Sequence, residues 1–493
     1  MSVVTIQIGQ YGNQIGHEFF STLAKELFCE SENCNDNKNK DTENKTAQNI
    51  KLNQNRILKD SFEEDGLDIF FQNSAKNRNS YVARCVLIDT EAKVVDRVLS
   101  SSLSSISVSS DMLNKTWSYN KKFKISHKYG SGNNWAQGFY SFGAKVVDSL
   151  DELIRHQVEK CDRLGGFLSM MSLAGGTGSG LGSYLIRHLR EYYDKSAIIS
   201  QVIWPYRSGE IAVQSYNSIL SLAHIYEAVD SIVAFSNDGM QKTCQLQLGL
   251  TKVSLSDINR LISMNLVHAF LPSFTDGLIG SYDCLGDYIN HLTPHPDLKM
   301  TSLMTSPMVS DLIRPFTVYS WASTLKELGR LYNLQATPGN QFDPEWQLKY
   351  DGTLNNSKAF AHILINRGFE CSLSNNHNTN SHNKYNSKRN NNNNKVAVKN
   401  EFLKLKSSYP IYQPNGFLFK HHQRPIFNQH MSSLLAYNDV NQMYIVDEAL
   451  EKTCKLFENR TYVHQYERHG CAVDDFVDSI LMVQQLLSNY ARL

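Results

Sequence analysis

Hydrophobic and polar positions along the chain fall into repeated strand–loop–helix units. The segment Val3-Val4-Thr5-Ile6-Gln7-Ile8 reads as a strand. Ile15, Phe19, Leu23 and Leu27 then recur every four residues, the spacing of one helix face. A denser run, Gly166 to Leu173, is short enough for a buried strand, and Leu181, Leu185, Leu189 and Tyr192 after it mark another helix. Further strands are predicted from Val82 to Asp89, Ile198 to Trp204 and Ser231 to Phe235. Val147, Leu150, Ile154, Val158 and Cys161 predict a helix that stops at Gly165-Gly166. Ser254-x-x-Asp257 is a capping signal for a helix running to about Phe270, with apolar coverage wide enough to lie buried between two domains. From about residue 273 the pattern changes. A helix from Leu285 is stopped by Pro294 and Pro296, and strand-like runs cover Thr317–Trp321 and Phe360–Asn366. The chain closes with a helix from Asp439 to Asn459 and a last one carrying Phe476, Ile480, Val483, Leu487 and Tyr490.

The turn between the dense strand and its helix is Ala174-Gly175-Gly176-Thr177-Gly178-Ser179-Gly180-Leu181-Gly182. Glycines permit positive φ and close backbone approach, so N–H groups can converge on an anion. Thr177 and Ser179 add hydroxyls, and the helix adds the positive end of its dipole. Gly175 to Gly180 therefore reads as a phosphate cradle, the alternative being a flexible glycine linker. No Gly-Lys-Ser/Thr follows, which excludes the P-loop. The dinucleotide fingerprint does not fit these glycines either, so a metabolic dinucleotide enzyme is set aside. Two companion turns are Gly9-Gln10-Tyr11-Gly12-Asn13-Gln14-Ile15-Gly16, where Gln10 offers its amide, and Gly130 to Gly138, where Asn133 does the same. Asp89 and Glu91 follow a strand, where they could orient a hydrated Mg²⁺ or line a solvated turn.

Composition narrows the class. At 493 residues the chain has room for two or three domains. Lysine plus arginine (49) balances aspartate plus glutamate (48), so no general drive towards nucleic acid or acidic membranes is expected. Nine scattered cysteines without a CxxC pair suit a reducing compartment, and no apolar run approaches spanning length. With no leader pattern at the start, a soluble cytoplasmic protein is expected. Residues 31–60 and 374–394, rich in asparagine, read as surface insertions, and the serine-rich run from Ser100 to Ser110 as a loop.

The glycine turns carry a resemblance to the tubulin family. The cradle resembles its Gly-Gly-Gly-Thr-Gly-Ser-Gly signature, with Ala174 in place of the first glycine. The first turn matches Gly-Gln-Cys-Gly-Asn-Gln-Ile-Gly apart from Tyr11. Gly130-Ser131-Gly132-Asn133-Asn134-Trp135-Ala136 is similar to the element that wraps the terminal phosphate. The resemblance implies an α/β fold: a parallel-sheet GTP-binding domain (1–250), a core helix (251–272), an intermediate α/β domain (273–430) and a carboxy-terminal helical hairpin (431–493). It implies GTP or GDP with Mg²⁺ as ligands. Gln10, Tyr11, Asn133 and Gly175, Gly176, Thr177, Gly178, Ser179 and Gly180 would meet the phosphates, and Gln10, Asp89 and Glu91 the metal. Glu210 would meet the ribose, with Gln214 standing where the family has a glutamate. Asn237 and Asn259 would read the guanine edge, and Leu255 would pack where the family stacks an aromatic ring. Asp287 falls on the position of a glutamate that reaches a neighbouring subunit's nucleotide, and so is the candidate catalytic carboxylate.

Trp204-Pro205-Tyr206, Leu285-Gly286-Asp287, Pro294-His295-Pro296 and Val463-His464-Gln465-Tyr466 look most like the delta subfamily. That implies a cytoskeletal protein of centrioles or basal bodies, involved in triplet microtubules and cilia. Its partners would be other tubulins or itself, through longitudinal contacts, and centriole proteins, with no nucleic acid and no membrane. The chain ends Ala491-Arg492-Leu493, without the acidic tail of alpha and beta tubulins. Two function classes stay open: a GTPase completed on longitudinal contact, or a structural tubulin that holds the nucleotide without turning it over.

Overall fold

A computed structural model describes residues 1–28, 62–74, 77–101, 115–209, 211–273, 283–309, 320–335, 359–368, 409–410 and 413–493. Both asparagine-rich insertions and Glu210 lie outside these residues.

The strands are β1 (Ser2–Ile8), β2 (Phe71–Ser74), β3 (Asn77–Ala83), β4 (Cys85–Asp89), β5 (Thr116–Ser118), β6 (Lys124–Ser126), β7 (Leu164–Ser172), β8 (Ile198–Trp204), β9 (Ser231–Ser236), β10 (Met300–Ser306), β11 (Ala359–Gly368), β12 (Phe417–His422) and β13 (Met431–Asp439). Ten of them form one sheet in the order β12-β11-β13-β10-β9-β8-β7-β1-β4-β6, and β2, β3 and β5 form a small second sheet. From β6 to β10 every pairing is parallel. These strands are buried on both faces, which explains dense apolar runs in place of alternation: every residue of β1, β8 and β10 is buried. The join between the two halves of the sheet is short, Met300 pairing with Ile232 and Thr301 with Val233.

Helices cover both sides. The first, Gly9–Phe28, packs along the core helix Leu255–Phe270. There Ser263 Oγ bonds the Glu18 carbonyl at 3.0 Å and Thr22 Oγ1 at 2.9 Å. The core helix opens with the expected capping box: Asp257 N–H donates to Ser254 Oγ at 3.3 Å, and Asp257 Oδ2 accepts from Ser254 N–H at 2.9 Å. Its far end is closed by Arg367 from β11, wholly buried, whose guanidinium donates to the carbonyls of Pro272 (2.8 Å), Leu271 (2.6 Å) and His268 (3.2 Å). The end of a helix dipole favours a cation there. Gly182–Tyr192 and Gln214–Ala228 pack together, and the latter also meets the carboxy-terminal helices Met443–Glu458 and Val473–Ala491.

Five local expectations are corrected. The Gly9–Gly16 turn is already helical, since the first helix starts at Gly9 directly after β1. The helix before the cradle ends at Val158, and Gly165 and Gly166 belong to β7, Gly166 with φ +143°. Trp321 opens a helix, Trp321–Gln335, and does not close a strand. Asp439 is the last residue of β13 and caps a short 3-10 turn, so the helix after it begins at Met443. Ser100 and Ser101 likewise end the helix Ala92–Ser101, and the rest of that serine run lies outside the described residues.

Candidate functional site

In a parallel sheet, ligands bind beyond the carboxyl ends of the strands, where the chain reverses its direction of travel across the sheet. Here the chain goes from β1 outward to β4 and β6, then returns to β7, β8 and β9 on the other side. The reversal lies between β1 and β7. Gly9 and the cradle follow these two strands, while Thr90, Pro205 and Asn237 follow β4, β8 and β9. Nearly all the sequence-predicted contacts are therefore brought to one edge by topology alone.

The cradle differs in detail from a flexible glycine loop. Thr177–Leu181 is a single wide helical turn that runs into Gly182–Tyr192. Positive φ is found beside it, at Gly9 (+74°), Gly132 (+56°) and Asn133 (+53°), while Gly176 and Gly182 have φ of −89° and −59°. The glycines serve close packing. A Cβ on Gly180 would lie 2.0 Å from the Trp135 carbonyl oxygen, one on Gly178 would lie 3.1 Å from both Ser172 N and O, and one on Gly9 2.8 Å from Gly178 N. Gly178 and Gly180 thus turn their bare sides inward. Gly175 is the open position, its nearest neighbour being Asn133 Oδ1 at 3.9 Å. The first backbone bond of the turn is Gly180 N–H to the Gly176 carbonyl at 2.9 Å. The N–H groups of Gly176, Thr177, Gly178 and Ser179 precede it, as the donors that any helix start leaves for an anion. Ser179 spends its hydroxyl on the Gly175 carbonyl and is fully buried, so its side chain shapes the turn.

Three loops meet through hydroxyls. Thr177 Oγ1 lies 2.6 Å from Thr90 Oγ1 and 2.8 Å from Ser131 Oγ. Asp89 sits beside them, 4 % exposed, with Oδ1 accepting the Glu91 N–H at 3.1 Å and Oδ2 buried without a protein partner. Burial pushes its carboxyl up to about 6, against the lowering effect of the Glu91 and Thr90 N–H groups. The Glu91 carboxylate is exposed and close to Gly130. A carboxylate with a spare lone pair among hydroxyls is the hard-oxygen chemistry that suits Mg²⁺, which is commonly held by one or two carboxylates plus substrate phosphates. The residues fit the ion.

The residues that the resemblance assigns to a base lie on two packed helices. Asn237 starts the helix Asn237–Gln247 after β9 and is half-buried, and that helix packs on the core helix. Asn259 is 8 % exposed one turn into the core helix, and Leu255 at its first residue is 56 % exposed, a large apolar side chain open to a planar partner. Gln10 is exposed at the start of the first helix. Tyr11 is half-buried and accepts a hydrogen bond from Gln201 Nε2 at 2.8 Å, its hydroxyl pushed up by burial.

Asp287 stands apart, on the helix Cys284–Leu292, and its Oδ2 is 2.8 Å from Lys420 Nζ of β12. Sequence reading passed over Thr90, Ser131 and Asn217. Ser131 sits inside a quoted motif as an ordinary polar residue, and Thr90 falls between the two acids Asp89 and Glu91. Asn217 was signalled only by being an amide in a helix buried on nearly all sides.

Comparison with known proteins agrees with this geometry. Residues 2–245 match the family model described as Tubulin/FtsZ family, GTPase domain. Over the full length of both chains the sequence is similar to the tubulin delta chains of Homo sapiens (30 % identical), Macaca fascicularis (31 %) and Mus musculus (30 %). Among the described residues no helix is long and apolar enough to cross a membrane. With a reversal-point cradle inside the matched segment and likeness along the whole length, the chain belongs to the tubulin family.

Proposed function

We propose that the protein is a guanine-nucleotide-binding tubulin subunit whose phosphates lie on the Gly176–Ser179 N–H groups. The observation that carries this is the interleaving of the Gly9, Gly130–Gly138 and Gly175–Gly180 segments at the β1/β7 reversal. Asp89, Glu91 and Gln10, with Thr177 at hand, would hold Mg²⁺, whose charge offsets that of the phosphates. Asn237 and Asn259 offer donor and acceptor together to the guanine edge, with Leu255 packing on the ring and Glu210 at the ribose. The division into residues 1–250, 251–272, 273–430 and 431–493 belongs to the same reading. Nucleotide extracted from the purified full-length protein should be GTP or GDP, and ATP should fail to displace it. Protein that carries no guanine nucleotide and binds none, or that exchanges it for ATP as readily as for GTP, overturns the proposal.

Hydrolysis divides two readings. In the first, Asp287 orients the attacking water of a longitudinal neighbour, a role typically contributing about 10²–10⁴-fold. The second, a subunit that holds nucleotide without turning it over, is favoured by the Asp287–Lys420 ion pair, which already engages that carboxylate. GTP turnover in mixed assemblies of wild-type and Asp287→Asn protein separates them: equal rates leave Asp287 a structural partner of Lys420. On the resemblance of its motifs to the delta subfamily, we place the protein at centrioles or basal bodies, in triplet microtubule and cilium assembly. Tagged protein spread along cytoplasmic microtubules and missing from basal bodies would refute that location.

A further inference from the structure

Asn217 lies in the helix Gln214–Ala228, fully buried, and uses every hydrogen-bonding position of its amide. Nδ2 donates to the Asn133 carbonyl (2.8 Å) and the Ala174 carbonyl (2.7 Å). Oδ1 accepts from the Trp135 N–H (3.0 Å) and from the Tyr466 hydroxyl (2.6 Å). One amide thus clamps the Asn133 loop to the first residue of the cradle, and the side chain that completes it comes from the carboxy-terminal layer.

Tyr466 belongs to the short helix Val463–Glu467 and is itself fully buried, its ring 5.6 Å from Tyr216 and 5.2 Å from Phe476 of the last helix. The same layer meets the Asn133 loop again where Asn134 Nδ2 donates to the Gln465 carbonyl at 3.1 Å. Tyr140, past the loop in the turn Gln137–Phe142, donates from Oη to Asp475 at 2.9 Å at the surface. Trp135, Phe139, Tyr466, Cys471 and Phe476 share a hydrophobic cluster separate from the main core. Asn133 holds a positive φ, an uncommon backbone state for a residue other than glycine, which persists only where its surroundings fix it.

We propose that Asn217 is a positioning residue through which the carboxy-terminal layer, by way of Tyr466, sets the phosphate loops for nucleotide. The proposal rests on the reading that the cradle binds guanine nucleotide, and adds that the grip depends on residues 463–476. Asn217 and Tyr466 need touch no ligand. They fix the distance between two backbone segments that do, and a partner that shifts Tyr466 would release nucleotide.

The test uses full-length Tyr466→Phe, which keeps the ring and removes one hydroxyl, with Tyr140→Phe as a control that breaks a surface bond to the same layer. Fluorescent GTP should dissociate about fivefold faster from Tyr466→Phe, the factor expected for one hydrogen bond. It should dissociate at the wild-type rate from Tyr140→Phe. Coupling between sites is reciprocal, so in the wild-type protein GTP should also slow hydrogen exchange of residues 463–471, leaving β11 and β13 unchanged. That second measurement needs no variant to fold. Wild-type protein that does not bind GTP fails the underlying reading. Wild-type protein that binds GTP fails only the coupling if Tyr466→Phe releases it at the wild-type rate, or if residues 463–471 exchange identically with and without it.

Discussion

Gly175→Ala and Gly180→Ala should separate the two jobs of the cradle, because their missing side chains point in opposite directions. A methyl on Gly180 would fall 2.0 Å from the Trp135 carbonyl oxygen and 3.0 Å from Phe139 N. Neither neighbour has room to move: Trp135 N–H is bonded to Asn217, its ring stacks on Phe139 with centroids 4.5 Å apart, and the residue is fully buried. Overpacking of this kind costs about 1–3 kcal/mol. It is offset by roughly 0.5–1 kcal/mol, the advantage of alanine over glycine in a helix. A net loss of up to about 2.5 kcal/mol is expected, with nucleotide binding weakened as the loops move apart. At Gly175 the same methyl meets only Asn133 Oδ1, at 3.9 Å, an ordinary contact. Folding should be unharmed, with a gain of up to about 0.4–1 kcal/mol from the stiffer unfolded chain. Yet the methyl stands where phosphate must approach, and a tenfold weaker affinity is expected, about 1.4 kcal/mol. Urea unfolding without nucleotide, paired with equilibrium binding of fluorescent GTP, reads both quantities. Full affinity in Gly175→Ala would show that phosphate does not lie on this face. Wild-type stability in Gly180→Ala would refute the interleaved packing.

Asp89→Asn removes the carboxylate with the unpartnered Oδ2; Mg²⁺ should then no longer tighten nucleotide binding, while the chelator-treated variant stays folded, and an unchanged Mg²⁺ effect would exclude Asp89 from the metal. Leu255→Tyr, at a position 56 % exposed, should tighten GTP binding by about 0.5–1.5 kcal/mol without changing stability; weaker binding would show that no base stacks there. Burial pushes the Asp439 carboxyl from 3.8 up to about 6, so its contribution to stability is fully present below 3.8 and is lost as pH rises through about 6. The difference is worth at most about 3 kcal/mol, and Asp439→Asn should gain up to that much on the wild-type protein between pH 4 and pH 7 in denaturant titrations. A pH-independent difference between the two would contradict the burial argument.

Much of the site was legible because its glycines and asparagines sit in short turns next to strands with strong apolar signals. Strand β7 and the helix Gly182–Tyr192 bracket the cradle within a residue or two of the sequence reading. What the cradle glycines do was less legible. Sequence suggests positive φ, whereas the strain sits on Gly9, Gly132 and Asn133, and the cradle residues are needed for tight packing against Trp135 and Ser172. Non-local partners were invisible. The ion pair of Asp287 with Lys420 spans 133 positions, and the bond of Asn217 to Tyr466 spans 249. Strand β13 escaped because Met431-Ser432-Ser433-Leu434-Leu435-Ala436-Tyr437 has no alternation to betray it, being buried along its whole length. Asp439 looked like a helix start because it is a cap, though of a 3-10 turn at the end of a strand.

The anchoring of the core helix at its far end has a mechanical consequence. Its sixteen residues, Leu255 to Phe270, make a rod of about 24 Å. One end carries Leu255 and Asn259, and the other is gripped by three hydrogen bonds from Arg367, which is anchored in β11. A rod held in this way has little freedom to tilt without dragging its anchor. Load applied where a base would rest is therefore delivered to the half of the sheet built from β10 to β13, across a seam with two residues, Met300 and Thr301, in ladder register and a further bond from Ser302 Oγ to the Ala234 carbonyl. The molecule has a stiff strut packed beside the shortest ladder of its large sheet.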